Sequence, residues 1–529
     1  MPARTELPRV AIVGGGIAGL AAAFFLRDAG LAVTLLEGSP RLGGKLAVSE
    51  VAGIAVDSGA EALLARRPEG TDLVGAVGLA GQLALPGTTT AGIWTRQRLR
   101  SLPRRQLMGV PADLDALASS GILSAPGLAS ARAAAGLPAT ERDGDVSVAS
   151  YVGARFGQEL VDRLVDPLLG GVYAGRSEQL SFEATLPGLA AASRQHASLA
   201  AAARSVLNAP ARDAPVPGAP TSAGPTRAGP TPAGTAPDSP APGGALAGPA
   251  PRPVLTTLTG GLATLVPAVA AASRAVVRTS AMVRGLARTP GGWQLTIGSA
   301  HAPEQFDADA VVLALPPGPA SRLLAGVPGA GAAAAGLGEI TTASMAIVTL
   351  AYPDAAFPAP PQGSGFLVPA VDGHAVKAVT FSTVKWPHLR AGGTAVHIVR
   401  CSVGRLGEEA LLQRDDGELA ALAAADLAAA TGVRGAPADI RVSRWGGGLP
   451  QYTVGHIGRV ARIRAAVAAQ PGLAVCGASY DGIGIPACIA SARAAADQVI
   501  AGLAARGALS VTAASATGPG ATAPGTGGE

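Results

Sequence analysis

The sequence predicts an α/β protein built on a discontinuous, Rossmann-like dinucleotide-binding domain, and three observations carry that expectation. One is a βαβ pattern at 9–44 with a glycine fingerprint at its first turn. Another is VVLALPP at 311–317, a buried-strand run that reads as returning to the first sheet from far downstream. The last is a strand, turn and helix pattern at 472–500 with GIGIP at the turn. Helix-patterned and strand-patterned stretches lie between them. The dinucleotide domain is therefore expected in three pieces, 1–90, 254–335 and 465–506, with a helical subdomain at 91–207 and a mixed-sheet substrate domain at 336–464.

The βαβ pattern is complete in its parts. Val10 to Val13 are apolar and β-like, the turn falls on Gly14, Gly15 and Gly16, and Ile17, Ala18 and Gly19 open a helix-patterned run to Leu26. Gly14 permits a sharp turn, Gly16 lets backbone N–H groups approach a pyrophosphate, and Gly19 lets helix and strand pack closely. The helix N-terminus then faces the phosphates, where its dipole favours negative charge. A second strand at 32–36 ends on Glu37, placed to accept hydrogen bonds from ribose hydroxyls.

Gly38, Arg41, Gly43, Gly44 and Lys45 follow that acid, giving E-x-x-x-R-x-G-G. This pattern resembles flavoproteins of the amine oxidase, phytoene desaturase and protoporphyrinogen oxidase superfamily, in which the segment crosses the FAD pyrophosphate. The resemblance implies FAD rather than NAD, and an amine-oxidase-like flavoprotein fold.

Composition bounds the rest. The chain has 529 residues, enough for two or three domains, and 48% are hydrophobic, which is globular. The net charge of +5 is small and dispersed, and gives no case for nucleic acid. Only Lys45, Lys377 and Lys385 are lysines, so the basic residues are overwhelmingly arginine. Cys401, Cys476 and Cys488 form no CxxC pair and imply neither a disulfide framework nor a metal site, which fits a reducing, cytoplasmic compartment. The start, MPARTELPRV, has no apolar core of a signal peptide, and no transmembrane span is expected; membrane contact would be peripheral.

Along the chain, Val56 to Ala62 includes the small residues Gly59 and Ala60, then Glu61 and Ala62; in the superfamily such a segment closes over the flavin. GIWTRQRLRSLP at 92–103 alternates apolar and basic residues and reads either as a solvated hairpin or as an anion-facing one. From 107 to 207 the pattern is mostly helical, except at 166–175, DPLLGGVYAG, where Pro and Gly predict irregular backbone. Residues 208–253 and the tail 507–529 are rich in Pro, Ala, Gly, Thr and Ser with little apolar bulk, so both are expected to be disordered. LTGGL at 258–262 precedes a helix, and strands are expected at 275–283, 293–297 and 308–315, then at 344–352, 365–369, 375–381, 394–403 and 440–445.

PLLGGVYAG, VKWPH at 384–388, PQYTVGH at 450–456 and GASYDGIGIPACI at 477–489 resemble the FAD-dependent protoporphyrinogen/coproporphyrinogen oxidase family, in particular its Gram-positive-type branch. The resemblance covers the chain apart from 208–253 and the tail. It implies FAD contacts at Val283, Trp445, Ile483, Gly484 and Ile485, a tetrapyrrole substrate, molecular oxygen as acceptor with hydrogen peroxide released, and handover of product to a ferrochelatase.

Removing hydride from a porphyrinogen bridge carbon needs no strong protein base, because the pyrrole nitrogen stabilises the developing cation. Placement and electrostatics then dominate, and no catalytic side chain is assigned. Substrate propionates need cationic partners, for which Arg96, Arg98 and Lys385 are the candidates. The resemblance implies oxidation of coproporphyrinogen III to coproporphyrin III. Protoporphyrinogen IX oxidation, an amine oxidase or carotenoid desaturase activity, and a non-catalytic flavin or tetrapyrrole carrier are the alternatives.

Overall fold

The computed structural model describes residues 7–134, 137, 144–209, 254–390, 393 and 395–508. The expectations of disorder for 208–253 and 507–529 fall almost wholly outside them; residue 208 itself closes the helix Leu199–Asn208.

A parallel sheet of five strands forms the base, in the order Val276–Arg278, Ala32–Leu36, Arg9–Val13, Ala310–Leu313, Leu473–Val475. Its central strand is the first of the chain and is buried from Val10 to Val13. The register runs Val10↔Ala310 on one side and Arg9↔Ala32 on the other, so the VVLALPP run does return to the first sheet. Helix Ile17–Leu26 follows the first strand and is apolar nearly all round, with eight of its residues buried. Such a helix is stable only when covered on every side. It packs with the sheet, with Leu265–Ser273 and with the closing helix Ile485–Ala505 in one continuous apolar core.

Above this base lies a seven-stranded sheet in the order Asp439–Pro450, Thr342–Pro353, Val396–Val403, Val376–Phe381, Gly365–Leu367, Gly92–Thr95, Arg98–Ser101. All neighbours are antiparallel except Gly365–Leu367 against Gly92–Thr95. Helix Asp416–Thr431 covers one face, opened by a reciprocal capping box between Asp415 and Glu418 and ended by Gly432 in the left-handed conformation. A third unit, the helices from Leu114 to Asn208, has its own core around Val152, Phe156, Leu164, Phe182 and Leu189.

Several expectations are corrected. The 92–101 hairpin pairs into the edge of the seven-stranded sheet, with Trp94 in that sheet's core, while Ile93 packs into the core of the helical unit. The run 275–283 is two strands: Val276–Arg278 pairs in the parallel sheet, and Val283–Thr289 starts a separate antiparallel sheet after a turn with Ser280 at φ 53. DPLLGGVY is helical from Asp166 to Tyr173. Proline is tolerated in the first helical turn, and the irregularity moves upstream into the π-helical turn Val161–Val165, where the looser register accommodates the missing N–H. Helix His456–Ala468 crosses the expected boundary at 464 and packs through Val460, Ile463 and Val467 into the core beneath the parallel sheet. Alternation alone could not assign these elements, because each choice is made by tertiary partners distant in sequence.

Candidate functional site

The C-terminal edge of the parallel sheet, where open α/β sheets bind ligands, collects the sequence motifs. At the fingerprint, Gly14 has φ 108, and a Cβ there would meet Ala314 O at 2.5 Å. A Cβ on Gly19 would land on the Gly14 carbonyl oxygen, so strand and helix touch backbone to backbone. Gly16 differs: a Cβ there would meet nothing within 4 Å. Gly16 is also the N-cap of Ile17–Leu26, with no side-chain cap and no acid in the first turn. Unsatisfied N–H groups therefore face open space, which is the arrangement an anionic group needs.

Glu37 lies over this turn. Its Oε2 accepts from Gly15 N at 2.7 Å and its Oε1 from Ser39 N at 2.7 Å, which fixes the carboxylate while leaving lone pairs to accept from hydroxyls. Gly38 abuts Met282, and Ala281 N donates to Glu37 O at 2.8 Å, so Val283 and its neighbours stand beside the acid. Gly43 N donates to Gly15 O at 2.8 Å, and Gly43 at φ 102 leaves no room for a side chain against Leu46 O. Arg41 is exposed; its Nη2 donates to Gly44 O at 2.8 Å, and its guanidinium carbon lies 6.0 Å from the Trp445 ring.

Lys45 O accepts from Ala60 N at 3.0 Å, and Gly59 is wedged between Lys45 O and Trp445, whose Nε1 donates to Ser58 O at 2.9 Å. The 58–62 segment is thus held against both the first βαβ and the edge strand of the seven-stranded sheet. Glu61 accepts from Lys385 Nζ at 2.5 Å and from Arg400 Nη1, while Arg400 Nη2 donates to Gly59 O at 2.6 Å. Burial pushes the Glu61 carboxyl up, but Lys385 and Arg400 more than offset it and hold it at about 2. Asp57, buried beside them, is raised to about 6, chiefly by burial, against the Leu262 N–H that it accepts at 3.0 Å and the charge of Arg400.

The closing turn meets the first helix directly. Gly477, at φ 121, lies within van der Waals reach of Ala18, and Cys476 N donates to Leu313 O at 3.1 Å. Helix Ile485–Ala505 begins at Gly484 with no side-chain cap, so a second helix N-terminus opens on the same edge after Ile483. The two ends of the polypeptide are joined across the parallel sheet.

The candidate anion partners are placed differently. Arg96 sits at the hairpin tip, exposed, and bonds Glu159 and Ile122 O of the helical unit. Arg98 is exposed on the strand at the opposite edge of the sheet from Trp445. Lys385 is committed to Glu61. Sequence reasoning missed Arg400 and Asp57, and the pairing of two cations on Glu61; nothing local in a strand or turn signals a partner several hundred residues away. His388 lies half-buried in a short helical turn, and Trp386 is buried.

The arrangement fits a bound dinucleotide: two uncapped helix N-termini, an open Gly16, and a carboxylate held over the turn. Among the described residues no helix is long and apolar enough to cross a membrane. The profile of the flavin containing amine oxidoreductases matches residues 17–500. The chain is 37% identical over 500 residues to a coproporphyrinogen III oxidase of Mycobacterium tuberculosis, covering 94% of this chain and 98% of that one. It is 29% identical to one of Bacillus subtilis, covering 93% and 97%. A solved structure of a putative protoporphyrinogen oxidase from Exiguobacterium sp. 255-15 superposes with a TM-score of 0.77 at 30% identity, covering 94% of this chain and 99% of that one. The cofactor is FAD, and the chain belongs to the flavin containing amine oxidoreductase family.

Proposed function

We propose that this chain catalyses the FAD- and oxygen-dependent six-electron oxidation of coproporphyrinogen III to coproporphyrin III, releasing hydrogen peroxide, in heme b biosynthesis. The observation that carries the reading is the 37% identity, over 94% of the chain, to relatives that bear this activity in their name. The motifs at 450–456 and 477–489 and the two uncapped helix N-termini at the parallel sheet's edge support it.

Gly14, Gly15, Gly16, Ile17, Ala18 and Gly19 would hold the pyrophosphate through backbone N–H groups, and Glu37 the ribose. Arg41, Gly43, Gly44 and Lys45 would lie along the phosphates, with Gly59, Ala60, Trp445, Ile483, Gly484 and Ile485 around the ring and Val283 toward the adenine end. Bound FAD supplies a hydride acceptor that oxygen can reoxidise. The chain's own part is placement: the uncapped N-terminus of Ile485–Ala505 would turn a positive dipole end toward the ring, and buried Arg400 and Lys385 carry one positive charge more than Glu61 balances.

Arg96, Arg98 and Lys385 remain the proposed propionate partners, with Arg96 and Lys385 having to exchange a carboxylate partner for the substrate. A soluble, cytoplasmic enzyme that hands its product to a ferrochelatase, with peripheral membrane contact at most, completes the reading. The test is purified protein with each porphyrinogen side by side. A yellow enzyme that consumes oxygen and forms fluorescent coproporphyrin III supports the proposal; faster turnover of protoporphyrinogen IX reassigns the substrate, and no turnover of either overturns it.

A further inference from the structure

PQYTVGH is bonded to the flavin-side turn at several points, and none of the roles assigned above uses those bonds. Tyr452 Oη donates to Ala478 O at 2.6 Å and accepts from Gly482 N at 2.8 Å, so one hydroxyl bridges both ends of the turn that leads into the closing helix. The Tyr452 ring stacks on His456 with centroids 3.8 Å apart and planes 15° from parallel. His456 Nε2 lies 3.1 Å from Tyr480 O, the midpoint of that turn. A carbonyl can only accept, so the imidazole carries its proton on Nε2. Eight residues further along the same helix, Arg464 grips Asp481 with both guanidinium nitrogens, one at 2.8 Å.

On the other side, Gln451 Nε2 donates to Tyr173 O at 2.8 Å, and Gly175 stands where any side chain would strike the Gln451 amide. The motif therefore ties the end of the Asp166–Tyr173 helix to residues 478–482. Tyr452 and His456 are each about 1% exposed, and the sheet and helical units cover them.

We infer that Tyr452 and His456 are positioning residues for the cofactor: they fix the turn at 477–484 against the first helix, so that the N-terminus of Ile485–Ala505 keeps its place at the flavin. Their bonds run to the backbone of Ala478, Tyr480 and Gly482, and it is through this backbone that they act. Gly482, at φ 145, occupies a conformation open to glycine, and a Cβ there would meet Ala487 Cβ at 2.8 Å. Burial also lowers the His456 pKa to about 4, consistent with a permanently neutral imidazole.

The inference rests on the proposed FAD site and not on the porphyrinogen, so its test reads flavin without substrate. Tyr452→Phe keeps the ring and the stack and removes the bridging hydroxyl. The expected result is an FAD dissociation constant raised roughly tenfold, since two hydrogen bonds to the turn are lost. The two-electron midpoint potential should move as well, by about 30 mV for each tenfold by which oxidised and reduced flavin are weakened unequally. Thermal stability of the apoprotein should change far less than that of the holoenzyme.

A Tyr452→Phe protein with unchanged flavin affinity and potential but a raised KM for porphyrinogen would make the residue a substrate contact and overturn the inference. Loss of apoprotein stability with unchanged flavin properties would overturn it too. Should Tyr452→Phe fail to fold, Arg464→Lys, on the half-exposed anchor of the same turn, should move affinity and potential in the same direction by less; no movement there would count against the inference.

Discussion

Lys385 Nζ lies 2.5 Å from Glu61 Oε1, across 324 positions of sequence. Arg400 reaches the other oxygen of the same carboxylate, and all three side chains are largely buried. One acid thus pairs with two cations that bind the 58–62 segment to the seven-stranded sheet. Glu61→Gln keeps the shape, leaves Lys385 without its counter-ion and leaves Arg400 with only the nearby charge of Asp57. It should destabilise the protein by about 3 kcal/mol, in the range for breaking a buried pair. Urea unfolding at pH 7 measures this, and a loss below about 1 kcal/mol would show that solvent already screens the pair.

Asp57 gives the expected pH dependence. Its native carboxyl is raised to about 6, chiefly by burial, whereas in the unfolded chain it titrates near 3.9. The native state therefore binds the extra proton between those values. Its contribution is fully present below about 3.9 and is lost as pH rises through 6. Asp57→Asn removes this term, so its stability relative to the parent should rise by about 2–3 kcal/mol between pH 4 and 6. Parallel urea titrations at several pH values check it; a constant difference would mean that Asp57 titrates alike in the native and unfolded states.

Two glycines of the fingerprint should fail in different ways. Gly16→Val places its side chain in open space, so the protein should fold but lose FAD affinity by about 1–3 kcal/mol, roughly ten- to a hundredfold. Gly19→Ala drives a methyl into the Gly14 carbonyl and should lower the stability of the apoprotein itself. Flavin absorbance after gel filtration, with apoprotein melting, separates the two. Full flavin content in Gly16→Val would displace the pyrophosphate from this turn.

Residues 210–253 have a composition with too little apolar bulk to build a core. Replacing them with a shorter Gly/Ser linker should leave kcat/KM and flavin content within about twofold, since loop length costs little in stability. A folded, flavin-loaded but inactive replacement would assign that stretch a role.

The cofactor half of the fold was legible because its signals are local. Gly14, Gly16 and Gly19 are spaced by the geometry of one turn, and Glu37 closes the same βαβ unit. VVLAL was legible as a buried parallel strand from its unbroken apolar run. What lay beyond reading were long-range choices. Trp94 and Ile93 look like any hairpin residues until Gly365–Leu367 pairs beside them. Tyr452 looks like a core aromatic until Ala478 and Gly482 supply its partners. Pro167 misled because a break in periodicity was assigned to its own position, while the chain absorbs it in the turn before.

The strand order of the parallel sheet bears on how the chain is made. Arg9–Val13 pairs with Ala310–Leu313, which in turn pairs with Leu473–Val475. The parallel sheet therefore cannot be completed until Leu473–Val475 has been synthesised. The apolar helix Ile17–Leu26 must wait for Leu265–Ser273 and Ile485–Ala505, its partners in one core, the circumstance in which non-local topology folds slowly and exposes surface that aggregates. Yield in a heterologous host should therefore depend more on chaperone supply and slow translation than on flavin supply during synthesis.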